Sequence, residues 1–168
     1  MQGSDPAALA GTDPAAWVAE VVSRSGLVWV GLPGGPPPRP VWHVWRDGAL
    51  WLLVAASPDG VEQHLPGLLD APRARVVVRS RAGRGRLLAC DADVAVVPPG
   101  APEWDALLPA LLERRLNSPG GTAAAAARWE AVCRLVRLEP RLPPVEAPGA
   151  LPDGDLAAPT RRPVSPGP

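Results

Sequence analysis

Two histidines, two cysteines, a pair of aspartates and a run of arginines are the groups in this 168-residue chain whose chemistry reaches beyond packing. His43 lies in PVWHVWRDGALWLLVAA (residues 40–56), together with Trp42, Trp45 and Trp51. An imidazole can hydrogen bond or titrate near neutrality. His43 therefore reads either as a satisfied core histidine or as a ligand contact. His64, beside the turn SPDG, is expected to be exposed. The three tryptophans read as core and interface packing, because the chain has no Phe or Tyr and Trp must supply its large aromatic surface. A planar ring stacked in a cleft is the other reading.

RARVVVRSRAGRGR (residues 73–86) holds six arginines. It reads as a strand with solvated guanidinium groups followed by a turn, or as an anion site, since Arg binds phosphate bidentately. Asp91 and Asp93, two apart on a strand, point to one face; they read as exposed strand carboxylates, which are common, or as a general acid/base pair. Cys90 and Cys133 match no metal-ligand spacing and read as small buried hydrophobes; no metal site is expected. Every one of the 17 basic residues is Arg, so lysine Schiff-base chemistry is excluded. Seventeen acidic residues bring the net charge to zero, which argues against non-specific nucleic-acid binding. No serine-hydrolase elbow, phosphate loop or dinucleotide fingerprint is present.

The elements that must position these groups follow from pattern. Asp13 and Pro14 read as N-cap and N1 of a helix, with Trp17, Val18, Val21 and Val22 on its apolar stripe. GLVWVGL (residues 26–32) is a strand and PGGPPPRP a loop. Asp47-Gly48 between two apolar runs is a hairpin signal. With those two as the loop, Arg46 pairs with Ala49, Trp45 with Leu50, Val44 with Trp51, His43 with Leu52 and Trp42 with Leu53. One face then carries Trp42, Val44, Trp51 and Leu53, and the other Val41, His43, Trp45, Leu50, Leu52 and Val54. Both faces are apolar, so both need cover: a barrel interior on one side, and a helix, ligand or second subunit on the other.

A short helical piece with Leu65, Leu68 and Leu69 follows, then strands at 73–80 and 86–99. Helices at 101–116, with Pro109 inside, and at 122–131 precede a last strand at 132–140. Six strands with a few helices predict a mainly β (α+β) domain, a closed or partly open antiparallel barrel. It spans residues 13–140, between a flexible start (1–12) and a disordered Pro/Ala/Gly-rich tail (141–168). No stretch is long and apolar enough to span a bilayer, and the start lacks the pattern of a secretory signal. A cytoplasmic location is the expectation.

The order of these segments resembles the FMN-binding split-barrel superfamily, that of pyridoxamine 5′-phosphate oxidase and the deazaflavin-dependent reductases. GLVWVGL, RPVWHVWRDGALWLLVAA, HLPGLLDAP and RARVVVRS carry the resemblance, and EWDALLPALLERRL and RLVRLEP match the later helix and closing strand. It implies a six-stranded antiparallel split β-barrel with flanking short helices. It also implies a homodimer that binds FMN or a deazaflavin at its interface, and oxidoreductase chemistry carried by that cofactor. The flavin phosphate would be held near the third strand and the turn after it. That strand ends VAAS and the turn carries no Lys. The cofactor-binding residues implied are Trp42, His43, Ser57, Gln63, His64, Arg79 and Arg81. Some split barrels bind haem, with His43 or His64 as the iron ligand here. The alternative is a degenerate member: a cofactor-free dimer binding a small apolar ligand or partner.

Overall fold

A computed structural model describes residues 13–80, 85–115 and 120–145. The flexible start expected at 1–12 and most of the tail expected at 141–168 lie outside them, as does Arg81. Helix α1 (Pro14–Ser23) is followed by strands β1 (Val28–Gly31), β2 (Arg39–Val41), β3 (Val44–Arg46) and β4 (Ala49–Ala55). A 3-10 turn (Leu68–Asp70) leads to β5 (Arg73–Arg79) and β6 (Arg86–Val97). Helices α2 (Pro102–Arg114) and α3 (Gly121–Val132) precede β7 (Cys133–Pro140).

The strands form one antiparallel sheet in the order β2-β1-β5-β6-β7-β4-β3, curled into a half-barrel. Asp47 and Gly48 form the β3–β4 turn with φ of 51° and 73°, the positive values that a two-residue type I′ hairpin loop demands. The register follows: Arg46↔Ala49, Trp45↔Leu50 and Val44↔Trp51.

There are seven strands among the described residues, not six, and pairing stops at Val44↔Trp51. The expected continuation, His43 opposite Leu52 and Trp42 opposite Leu53, is absent from the ladder. The predicted second strand instead breaks in two: β2 pairs with β1 (Val41↔Val28) and β3 with β4. The cause is local. Trp42 takes its backbone hydrogen bonds from the Gln63 side chain, at 3.1 Å for each, instead of from a neighbouring strand. His43 turns into the interior, where its Nε2–H donates to Val22 O at 3.1 Å.

Every residue of β4 is buried, because its two faces meet two different cores. Leu50, Leu52 and Val54 join Val41, α1 (Val18, Val21, Val22) and the inward residues of β5 and β6. Trp51 and Leu53 join Val44, Trp104, Leu107 and Leu111 of α2, and Ala125 and Trp129 of α3. The outer face is thus covered by helices of the same chain, not by a ligand or second subunit. Each fully buried Leu or Val contributes about 1.5–3 kcal/mol. Inside α2, Pro109 has no N–H to donate and leaves a gap in the helical ladder. Trp104, Leu107 and Leu111 pack on both sides of that gap.

Candidate functional site

The C-terminal end of β4 brings together most of the polar residues singled out from the sequence. Ala55 is the hub. Its N–H donates to Gln63 O at 2.8 Å, and its O lies 3.2 Å from His64 Nδ1. A carbonyl oxygen can only accept, so Nδ1 of His64 carries the proton and Nε2 is left as an acceptor. His64 is half-buried by this contact, not exposed as expected. The Gln63 amide bridges the Trp42 backbone, Oε1 accepting from N–H and one Nε2–H donating to O. Ser57 closes the turn that follows: its Oγ accepts from Asp59 N at 3.3 Å, and Asp59 Oδ2 lies 3.5 Å from it.

Next to Gln63 stands a residue that no sequence pattern singles out. Glu62, in a loop without periodicity, is buried, its side chain 1% exposed. It accepts from Trp129 Nε1 at 2.9 Å, Arg115 Nε at 3.0 Å and Arg128 at 3.3 Å. Buried carboxylates persist where they are paired and hydrogen-bonded, and this one ties the 56–67 loop to α2 and α3. Trp129 in turn faces Trp42, ring centres 6.2 Å apart and planes tilted by 36°. Glu62, Gln63, Trp42 and Trp129 therefore form one continuous structure beneath the end of β4.

His43 is fully buried. With Nε2 donating to Val22 O, its Nδ1 lone pair has no hydrogen-bond partner. Desolvation lowers its pKa from 6.5 to about 4, opposed by the Val22 bond and aided by the positive charge of Arg114. It is a neutral core imidazole away from solvent.

Arg79 is not part of this cluster. It pairs with Arg86 at one end of β6, whereas Ala55 pairs with Cys133 of β7, near the Val97 end of β6. Trp29 pairs with Val77, and Arg79 is two residues further along on the same outer face. Its guanidinium lies 4.9 Å over the Trp29 ring. A cleft of about 190 Å³ opens beside them, lined by Ser25, Gly26, Leu27, Trp29, Arg79 and Ser80. A second hollow, between Gly31, Pro36, Arg39 and Leu65, has room for about 20 Å³, one water molecule.

The remaining reactive types are accounted for. Asp91 accepts from Arg75 Nε at 2.6 Å, and Asp93 from Arg141 at 3.0 and 3.1 Å. Burial, with the Asp91 charge adding, pushes the Cys90 thiol up to about 12, and burial and the Glu62 charge push Cys133 to about 11. Both are inert as nucleophiles at neutral pH. No group of three His, Cys, Asp or Glu among the described residues could hold a metal ion. No helix among them is long and apolar enough to cross a membrane.

No protein family and no curated protein matches the sequence. Solved structures do match. A conserved hypothetical protein of Mycobacterium tuberculosis superposes with a TM-score of 0.53 at 18% identity, covering 77% of this chain and 82% of that one. HutZ, the haem storage protein of Vibrio cholerae, superposes with a TM-score of 0.51 at 13% identity, over 77% and 92%. An F420 reductase gives 0.49 at 17% identity, over 73% and 91%. The chain has the split-barrel fold.

A split barrel that held a flavin phosphate at the end of β4 would need free donors or cations there. Of the donors there, one Gln63 Nε2–H goes to Trp42 O and His64 Nδ1–H to Ala55 O, while the exposed Ser57 Oγ lies 3.5 Å from Asp59 in its own turn. Glu62 draws Arg115 and Arg128 inward. The nearest exposed charge on the turn is the carboxylate of Asp59, which repels an anion. The turn itself carries no cation; the exposed guanidinium that reaches this loop is Arg39, its Nη1 3.5 Å from His64 O.

Proposed function

We propose that this split barrel is a homodimeric small-molecule-binding protein that does not anchor a flavin through its phosphate at the end of β4. One observation carries the reading: Ser57, Glu62, Gln63 and His64 are all bonded within the chain. A phosphate that took the Gln63 and His64 donors would leave the backbone groups of Trp42 and Ala55 that they serve without those partners, at about 1–3 kcal/mol each. A dimer is supported by Val61 and Val132, exposed on two segments that the Ala56 N–H to Val132 O bond brings together. Symmetric pairing of this surface with a second copy would cover both valines.

A flavin- or deazaflavin-dependent oxidoreductase is the second reading. It is favoured by the fold and by Arg79, a cation with no hydrogen bond or ion pair among the described residues that a dimer could carry to the partner's β4 end. A haem-binding reading retains one ligand, His64 Nε2, because His43 is sealed in the core.

The absorbance spectrum of untagged protein, followed by mass spectrometry of anything released on denaturation, separates these readings. The expected result is a colourless protein that neither quenches added FMN nor binds a deazaflavin at high micromolar concentration. Light scattering is expected to give twice the chain mass. A yellow protein releasing stoichiometric flavin overturns the first reading in favour of the second. A Soret band on adding hemin, lost in His64→Ala, overturns it in favour of haem.

A further inference from the structure

The cleft between the α1–β1 turn and the end of β5 has the chemistry of a small binding site. Its floor is Trp29, half-buried on the outer face of β1. Arg79 lies over the ring at 4.9 Å, so its guanidinium is held by a cation–π contact instead of moving freely. Such a held guanidinium keeps its N–H edges available, and the planar fork matches a carboxylate bidentately. No carboxylate among the described residues occupies it. Leu27, 46% exposed, forms an apolar wall. Ser25 also lines the cleft, and its Oγ donates to Leu27 O.

We infer that this cleft binds a small aromatic carboxylate, its anionic end on Arg79 and its ring between Leu27 and the exposed part of Trp29. Size restricts the class. The cleft of about 190 Å³ exceeds the roughly 150 Å³ that encloses a benzene ring, so it takes one ring with a carboxylate and not a three-ring flavin. Because it lies at the far end of β6 from Ala55, this site and the reading of the β4 end stand or fall separately.

The test is calorimetric titration of the full chain with sodium benzoate, sodium acetate and benzyl alcohol, repeated on Arg79→Gln and Trp29→Leu. Benzoate is expected to bind saturably in the millimolar range. Acetate and benzyl alcohol should bind at least about tenfold more weakly, since each lacks one half of the recognition. Arg79→Gln should cost about tenfold or more in benzoate affinity and leave the melting temperature unchanged, because Arg79 is exposed. Lack of saturable benzoate binding, equal binding of acetate and benzoate, or undiminished binding by Arg79→Gln overturns the proposal. A yellow protein that binds benzoate through Arg79 supports it while removing the preceding reading; a colourless one blind to benzoate does the reverse.

Discussion

The side-chain amide of Gln63 satisfies both backbone groups of Trp42, accepting from its N–H and donating to its C=O at 3.1 Å each. A glutamine 21 residues downstream thus replaces a missing strand neighbour at the point where β2 ends and the chain swings toward β3. Replacing Gln63 by Leu leaves two backbone groups unpaired in a half-buried place. The expected loss is about 1–3 kcal/mol of stability, read as a lower urea midpoint at unchanged slope. A midpoint equal to that of the wild type would refute this account of the strand break.

Glu62 is the second fixed point of the same loop. Its removal as Glu62→Ala leaves Arg115, Arg128 and the Trp129 indole N–H without their shared acceptor. Breaking such a buried pair costs about 3–5 kcal/mol. Glu62→Gln keeps an acceptor for Trp129 and should cost less. Limited proteolysis is the check: Glu62→Ala should be cut within residues 56–67 under conditions in which the wild type is not.

His43 sets an acid limit. Its folded pKa of about 4 lies below the ordinary 6.5 because burial disfavours the charged ring. Above pH 6.5 the ring is neutral in both folded and unfolded chains, and its contribution is complete. Between pH 6.5 and 4 only the unfolded chain takes up the proton, so stability falls with pH. A gap of about 2.5 units corresponds to about 3 kcal/mol. Urea midpoints measured from pH 7 to pH 4 should fall more steeply for the wild type than for His43→Leu. Parallel curves would show that His43 does not carry the effect.

Cys90 and Cys133 are buried and held in the thiol form by burial and neighbouring carboxylates. A disulfide-exchange reagent at pH 8 should titrate neither in the native protein and both in guanidinium. Fast native labelling of Cys133 would mean that α3 opens readily from the end of β4.

Much of the barrel was legible because its signals are local. Asp47-Gly48 fixed the β3–β4 turn and its register, and period-two alternation sorted Leu50, Leu52 and Val54 from Trp51 and Leu53 onto two faces. The break at Trp42–His43 was not legible: it depends on Gln63, whose effect appears only once the chain has folded back. Glu62 was hidden for the same reason, since its three donors come from helices more than fifty residues later. The resemblance grouped Arg79 with Ser57, and the strand order places it at the other end of β6. Side chains whose partners are set by topology leave no trace in a window of neighbours.

The burial of β4 on both faces also governs how the protein can be made. Its ladder partner is the last strand: Leu50 pairs with Leu138 and Ala55 with Cys133. While the chain is still emerging from the ribosome, ALWLLVA has been synthesised long before the strand and the two helices that enclose it. Until then it is an uncovered, charge-free strand of the kind that aggregates or recruits chaperones. A chain stopped before Cys133 would keep that segment exposed, so the barrel closes only once β7 has been translated.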